Sequence, residues 1–201
     1  DSRGELAPFN SLANAPARDL DLFVHLGDSI YADVASPALP GVNQASTIAQ
    51  FRAKHDEVLS AHLGVNGIGD LRASTAVLAT LDDHEVTNDF SGGAHPSTDP
   101  RFDQTGSYIN ETNLFYRAMV AFLDYAPIVA QRYGATGDPR TAQKLKFYRQ
   151  RTLGRGAAVF VLDPRSFRDA PLPDVTNPTD PAQVGAFLVG SLVASPDTTD
   201  W

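Results

Sequence analysis

The sequence predicts an α/β fold in which several strands end in chemically active residues. An apolar stretch at 20–26 has the character of a buried strand, and a second stretch of this kind lies at 76–81. Apolar residues recur at helical spacing between them, so the predicted order is strand, helix, strand, with a parallel pair and a right-handed crossover. A third apolar stretch, at 157–162, also runs directly into charged residues. Functional groups in open α/β sheets collect at the carboxyl ends of strands, so a site is expected there.

The composition is that of a globular protein with an acidic charge balance. The 201 residues are 42% hydrophobic and 20% charged, with a formal net charge of −8, which suits one domain with its own core. The acidic balance argues against a nucleic-acid-binding surface, and no apolar run is long enough for a membrane span. The sequence has no cysteine, which excludes disulfides and thiolate metal ligands within it. Composition carries no signal for an oligomeric state.

Further elements are predicted from periodicity and from turn residues. The first helix follows from the spacing of residues between Ile48 and His62, with Asn43 as its cap and Gly64 as its end. The other expectations are a short helix at 9–15, a turn at 67–70, an irregular cover or mobile segment at 91–106, a helix at 114–125, a strand at 145–151 and an apolar helix at 184–194.

The ends of the first two strands supply candidate metal ligands. Asp28 and Tyr31 follow the first strand, and the acidic and imidazole side chains of residues 82–85 follow the second. If the strands are neighbours, several carboxylates meet, and a bound cation would relieve their repulsion. Oxygen ligands with one imidazole suit calcium, magnesium, manganese, iron or zinc. A solvated acidic turn is the simpler interpretation, but both clusters close apolar strands in succession, which favours a site. Tyr31 alone is equally compatible with a core aromatic residue.

Other polar residues leave alternatives open. His84 could be a ligand, a general acid or an ion-paired surface residue. Arg165 and Arg168 follow the third strand and could grip a phosphate, while pairing with Asp163 or Asp169 is an equally good explanation. Three further histidines are interpreted as structural, namely His25, His55 and His62.

Three motifs resemble the alkaline phosphatase D (PhoD-like) family of metallophosphatases. Residues 27–31 (GDSIY) resemble its G-D-x-x-Y block, residues 82–89 (DDHEVTND) its D-D-H-E-V-x-N block, and residues 162–169 (LDPRSFRD) its L-D-x-R-x-[YF]-R segment. The resemblance implies a calcineurin-like metallophosphatase sandwich, in which helices flank two mixed sheets. It also implies that residues 1–201 are an internal portion of the catalytic domain, incomplete at both ends, because the family's other ligand blocks are not found in the sequence.

The same resemblance implies hydrolysis of phosphate monoesters and diesters by a two-metal centre of iron (Fe³⁺) and calcium, in which an activated hydroxide attacks phosphorus. Position by position, Asp28 matches the carboxylate that bridges the metals, and Tyr31 matches the phenolate ligand of ferric iron. Asp83 matches a ligand position of the second metal, and His84 the imidazole that assists the leaving group. Asn88 is a further oxygen ligand under this resemblance. The substrate would be a small phosphate ester, and the protein would be exported, periplasmic or secreted.

Two alternatives come from other functional classes. The Gly-Asp-Ser sequence ending at Ser29 also resembles the opening block of GDSL-type serine esterases, in which the serine is the nucleophile. Those enzymes need an Asp-x-x-His motif, and none of the five histidines has an aspartate three residues earlier. The esterase interpretation also leaves the cluster at 82–85 unexplained. A non-catalytic cation-binding fragment is the other alternative.

Overall fold

The computed structural model describes residues 1–172 and 174–193, and it combines α-helices with short strands. The strands are β1 (Leu22–His25), β2 (Ala76–Ala79), β3 (Arg149–Leu153) and β4 (Ala157–Val161), and the helices are α1 (Ile48–Leu59), α2 (Gly67–Ser74), α3 (Asn113–Tyr125) and α4 (Pro181–Val193). The chain divides into two compact units, Asp1–Arg168 and Asp169–Trp201. Among the helices of the described residues, none is long and apolar enough to cross a membrane.

The predicted parallel pair is present. β1 and β2 pair in parallel, with His25 opposite Ala79, and a helical crossover connects them as predicted. β1 is shorter than the predicted strand at 20–26, because the chain leaves the sheet after His25 and Leu26 is 76% exposed. β3 and β4 form a separate antiparallel hairpin. In the described residues each sheet therefore has two strands, and neither sheet is mixed as the predicted sandwich requires.

The observed boundaries of α1 and α2 differ from the predicted ones, because side chains cap the helices at other residues. α1 begins after Thr47, which forms a capping box with Gln50, so Asn43 is not the cap. A capping box satisfies two backbone donors at once, and this fixes the start of the helix. The helix ends before Ser60, well short of Gly64. The predicted turn at 67–70 is wrong, because the side chain of Asn66 accepts the Gly69 N–H and starts α2 there.

The later strands differ from prediction in position and in burial. The predicted strand at 145–151 is wrong in its first half, because β3 begins at Arg149 and continues to Leu153. β4 is largely exposed despite its apolar sequence, and Phe160 is 58% exposed. A hairpin of two strands leaves a face uncovered, so an apolar sequence alone does not bury it. The predicted helix at 184–194 begins earlier, at Pro181, and Ala194 lies outside the described residues.

The irregular segment at 91–106 is buried at its start, over residues 91–94, so the expectation of a mobile segment is wrong there, while the role of a cover stays a prediction. The backbone N–H groups of Gly92 and Gly93 donate to the carbonyls of Arg165 and Arg168, each at 2.9 Å. A Cβ on Gly92 would lie 2.2 Å from the Ser166 carbonyl oxygen, so only glycine permits this approach. The segment therefore holds the chain after β4 in place.

The helical core buries a histidine whose protonation opposes folding. His55 on α1 is 4% exposed, and its ring stacks on Tyr125 with the centroids 4.8 Å apart. Burial lowers the pKa of His55 from 6.5 to about 3. The unfolded chain therefore binds a proton below about pH 6.5 that the folded chain refuses, so stability should fall by about 1.4 kcal/mol per pH unit between about pH 6.5 and pH 3.

The variant His55→Phe keeps an aromatic ring and removes this proton linkage. Urea unfolding at pH 7 and at pH 4.5 should show a smaller acid-induced loss of unfolding free energy in His55→Phe than in the unmodified protein. His95→Gln is the control, because His95 is exposed. An equal acid-induced loss in all three proteins would contradict the assignment.

Candidate metal centre

The backbone after β1 is shaped for close contact with the end of β2. Gly27 has a φ of +101°, and a Cβ at this position would lie 2.5 Å from the Asp82 nitrogen. Only glycine allows both the conformation and the approach. Asp28 follows with a φ of +52°, in the left-handed region that side-chain-bearing residues seldom adopt. Such backbone conformations cluster at functional sites, and this one directs the chain toward the second motif.

Asp28, Asp83 and His84 converge at the carboxyl ends of β1 and β2. One potential ligand atom from each lies within 4.8 Å of the other two. Asp28 is 8% exposed and Asp83 is 5% exposed. The His84 backbone N–H also donates to Asp28 Oδ1 at 3.3 Å, which ties the two strand ends together. The structure thus brings three of the five predicted site residues into one group.

Tyr31 lies beside this group, whereas Asn88 lies at its exposed rim. The Tyr31 hydroxyl donates to Asp28 Oδ2 at 3.4 Å, and its ring stacks on His84 with the centroids 4.0 Å apart. Burial and then the charge of Asp28 raise the pKa of Tyr31, so ionising this phenol requires a strong positive charge nearby. The Asn88 side-chain amide donates to Asp89 Oδ2 at 2.9 Å. Its assignment as a ligand stays a prediction.

The electrostatics of Asp28 suit a cation. Burial raises the pKa of Asp28, and the nearby negative charge of Glu85 raises it further. A positive ion at this position would offset both effects. Two carboxylates and a phenol offer hard oxygen donors, and with one imidazole beside them they match the ions expected from the sequence.

Glu85 acts as a clamp between the two motifs. Its carboxylate is fully buried and accepts the backbone N–H groups of Asp28 at 3.2 Å, Ser29 at 2.5 Å and Asp82 at 2.8 Å. It also accepts the Ser29 hydroxyl at 2.7 Å. Burial raises the pKa of Glu85, while the hydrogen bonds from Ser29 lower it. The sequence places Glu85 among the like charges of the cluster, but its carboxylate oxygens accept hydrogen bonds from three backbone N–H groups and from the Ser29 hydroxyl.

Arg165 brings a positive charge to the same edge. Its guanidinium is paired with Asp82, lies 3.2 Å from Asp83 Oδ1 and lies 3.8 Å from Asp89 Oδ1. Asp163 instead accepts the backbone N–H of Arg165 at 3.2 Å, so the alternative of an Arg165–Asp163 side-chain pair gives way to pairing with Asp82 and Asp83. Arg165 thus balances part of the negative charge around Asp83.

Asp33 is a site residue that the sequence analysis missed. Its Oδ1 lies 2.7 Å from Nδ1 of His84, and its Oδ2 accepts the Asn88 backbone N–H at 2.8 Å. The sequence does carry a weak signal, since Asp33 is a second carboxylate on the segment that starts at Asp28.

These features define an α/β protein with a candidate site for hard cations at the carboxyl ends of a parallel strand pair. The sequence profile of the PhoD-like phosphatase family matches residues 3–190. The chain therefore belongs to the PhoD-like phosphatase family, which confirms the resemblance and makes it a member of a hydrolase family.

A solved structure described as "Structure of PhoD" shares the fold. It is 22% identical to this chain and matches with a TM-score of 0.54 over 83% of this chain and 30% of its own length. The chain therefore spans about a third of the solved structure. No curated protein matches the chain significantly.

Proposed function

We propose that residues 1–201 are part of the catalytic domain of a metal-dependent phosphoric ester hydrolase that acts on small phosphate monoesters and diesters. The observation that carries this proposal is the convergence of Asp28, Asp83 and His84, with Tyr31 beside them. The proposed architecture of the whole catalytic domain is the calcineurin-like sandwich, and the proposed location is outside the cytoplasm, periplasmic or secreted.

The proposed metals are iron and calcium. Asp28 would bridge them, Tyr31 would bind ferric iron as a phenolate, and Asp83 and Asn88 would bind the second ion through oxygen. Hard oxygen donors suit both ions. Burial and then the charge of Glu85 raise the pKa of Asp28, and a cation bound to Asp28 would offset both effects. The bound pair would supply Lewis acidity toward the phosphoryl oxygens and would acidify a water molecule.

Two residues of the chain are proposed to handle the proton of the reaction and the charge of the carboxylates around the site. His84 is proposed to protonate the departing alkoxide oxygen. Its ring lies against Tyr31, and one of its nitrogens lies within 4.8 Å of a carboxylate oxygen of Asp28 and of Asp83. Arg165 is engaged with Asp82 and Asp83. Its proposed role is to keep these carboxylates in place while the substrate binds.

The contacts of Ser29 argue against the esterase alternative. A serine nucleophile needs a base, most often histidine, within hydrogen-bond distance of its hydroxyl. The Ser29 hydroxyl instead donates to the buried Glu85, while Nδ1 of His84 is hydrogen-bonded to Asp33.

Removal of the metals tests the proposal. The natural protein is stripped with a chelator and reloaded with iron and calcium, and hydrolysis of 4-nitrophenyl phosphate, bis(4-nitrophenyl) phosphate and 4-nitrophenyl acetate is measured. Phosphate ester hydrolysis should fall by at least about 100-fold on stripping, since metal catalysis contributes several kcal/mol and each 1.4 kcal/mol is about tenfold. Reloading should restore it.

Two outcomes would contradict the proposal. Metal-independent hydrolysis of the acetate with inert phosphate esters would favour the serine esterase. Binding of the metals without hydrolysis of any of the three esters would favour a non-catalytic cation-binding protein.

A further inference from the structure

The peptide group that joins Asn88 to Asp89 is held at both of its polar atoms. Its carbonyl oxygen accepts a hydrogen bond from Nη1 of Arg101 at 2.7 Å, and its N–H donates to Oδ2 of Asp83. Asp89 has a φ of +54°, in the left-handed region that residues with a side chain seldom adopt. Such a conformation persists only where its surroundings hold it. The two hydrogen bonds therefore keep an unfavourable turn in place beside a candidate metal ligand.

Arg101 is itself held in the orientation that this contact needs. Its Nε and Nη2 donate to the two carboxylate oxygens of Asp99 at distances between 2.6 and 3.1 Å, which is the fork geometry of a strong charged pair. Burial would raise the pKa of Asp99, but the hydrogen bonds from Arg101 outweigh burial and lower this pKa. Nη1 then points away from the fork and donates to the Thr87 hydroxyl at 3.0 Å as well as to the Asn88 carbonyl.

The segment that carries Arg101 is anchored in the core. Phe102 is 3% exposed, and its ring centroid lies 6.4 Å from that of the fully buried Phe90, which directly follows Asp89. The Phe102 N–H also donates to the Asp99 carbonyl at 3.2 Å and closes the turn. The guanidinium of Arg101 is thus placed by the fold, unlike that of a free surface side chain.

We propose that Arg101 is a positioning residue of the candidate metal centre, which holds the Asn88–Asp89 peptide in its left-handed turn and thereby fixes the carboxylate of Asp83. The part that concerns the metal rests on the proposed function, whereas the hold on the peptide is a property of this chain alone. Oδ2 of Asp83 accepts the Asp89 N–H, and Oδ1 lies 3.2 Å from Arg165. Loss of Arg101 frees the peptide to rotate and weakens the first of these contacts. Partners that orient metal ligands contribute about 10–100-fold to metal affinity.

The variant Arg101→Met removes the guanidinium and keeps an unbranched side chain. Water can replace single hydrogen bonds at this half-exposed position, but it cannot hold Thr87 and Asn88 at a fixed distance from Asp99. We therefore expect the Asp89 amide of the metal-free natural protein to exchange about tenfold faster or more in Arg101→Met, measured by NMR. Asp99→Asn, which loosens the fork and leaves the arginine in place, should show a smaller change in the same direction.

Arg140→Met is the matched control. Arg140 follows the same Asp-Pro sequence as Arg101, and its Nε and Nη2 form the same kind of fork with Asp138. This variant should leave the Asp89 exchange rate unchanged. An unchanged rate in Arg101→Met would overturn the proposal, and if Arg101→Met failed to fold, an unchanged rate in Asp99→Asn would do so.

Calcium affinity, measured by titration calorimetry on the same proteins, tests the link to the candidate metal centre. The dissociation constant should rise about tenfold or more in Arg101→Met and stay unchanged in Arg140→Met. Urea unfolding separates this effect from a general loss of stability, because both variants lose one fork and should unfold at similar urea concentrations. Faster Asp89 exchange with unchanged calcium affinity in Arg101→Met would overturn the positioning role. The expected exchange rates in a natural protein that binds no calcium would support the hold on the peptide and overturn the proposed function instead.

Discussion

Glu85→Ala should destabilise the folded chain by about 3–5 kcal/mol, a large share of the stability of a typical domain. The substitution leaves three backbone N–H groups and one hydroxyl without their shared acceptor, and each buried donor left unsatisfied costs about 1–3 kcal/mol. Relaxation and water entry recover part of this sum. Urea unfolding monitored by circular dichroism measures the loss.

Glu111→Ala is the matched control for this change. Glu111 also accepts two backbone N–H groups, from Ser107 and Tyr108, but it lies at the exposed surface. Water can replace its carboxylate there, so the expected loss is about 1 kcal/mol. Similar losses for Glu85→Ala and Glu111→Ala would show that Glu85 does not clamp the two strand ends.

Local pattern was enough to predict the framework of the site. Apolar stretches with a helical stretch between them indicate a parallel pair, and the residues directly after each strand then meet at one edge. Asp28, Asp83 and His84 were predictable for this reason. The left-handed turn at Gly27 and Asp28 brings the chain after β1 close to Asp82. A glycine directly after a strand is the sequence signal for such a turn.

The supporting contacts were not predictable, because they join residues far apart in sequence. Glu85 binds backbone groups 56 and 57 residues earlier, and Asp33 lies 51 residues before its partner His84. No local periodicity records such pairs. The boundary of α1 was missed for a different reason, since Thr47 and Gln50 cap the helix together and outcompete the isolated candidate Asn43.

Exposure of the β3–β4 hairpin shows the limit of composition as a guide to burial. The stretch at 157–162 is apolar, as a core strand would be, yet β4 is mostly exposed in the described structure. An apolar sequence shows that a segment can be buried, but burial also requires a second layer of secondary structure that packs against it. β1 and β2 have α1 and α2 within the same crossover, while β3 and β4 follow each other through a short turn.

Asp28→Asn and Ser29→Ala should differ sharply in kcat for phosphate esters. Asp28→Asn should reduce kcat by about 100–1,000-fold, since it removes the charge proposed to bridge the metals, as expected for loss of one strong electrostatic contact. The fold should survive, because asparagine tolerates the left-handed φ of +52° and keeps the backbone N–H that Glu85 accepts.

Ser29→Ala deletes a hydroxyl whose partner is Glu85, so it should cost about 1 kcal/mol of stability and less than about tenfold in kcat. Steady-state kinetics and metal content of both purified variants, with Asp103→Asn as the charge-matched control for Asp28→Asn, make the comparison. A bound-metal content that falls in Asp28→Asn and stays unchanged in Ser29→Ala would tie the activity loss to the cations. If Ser29→Ala were inactive while Asp28→Asn kept its activity, the nucleophile would be the serine and the metal-dependent mechanism would be wrong.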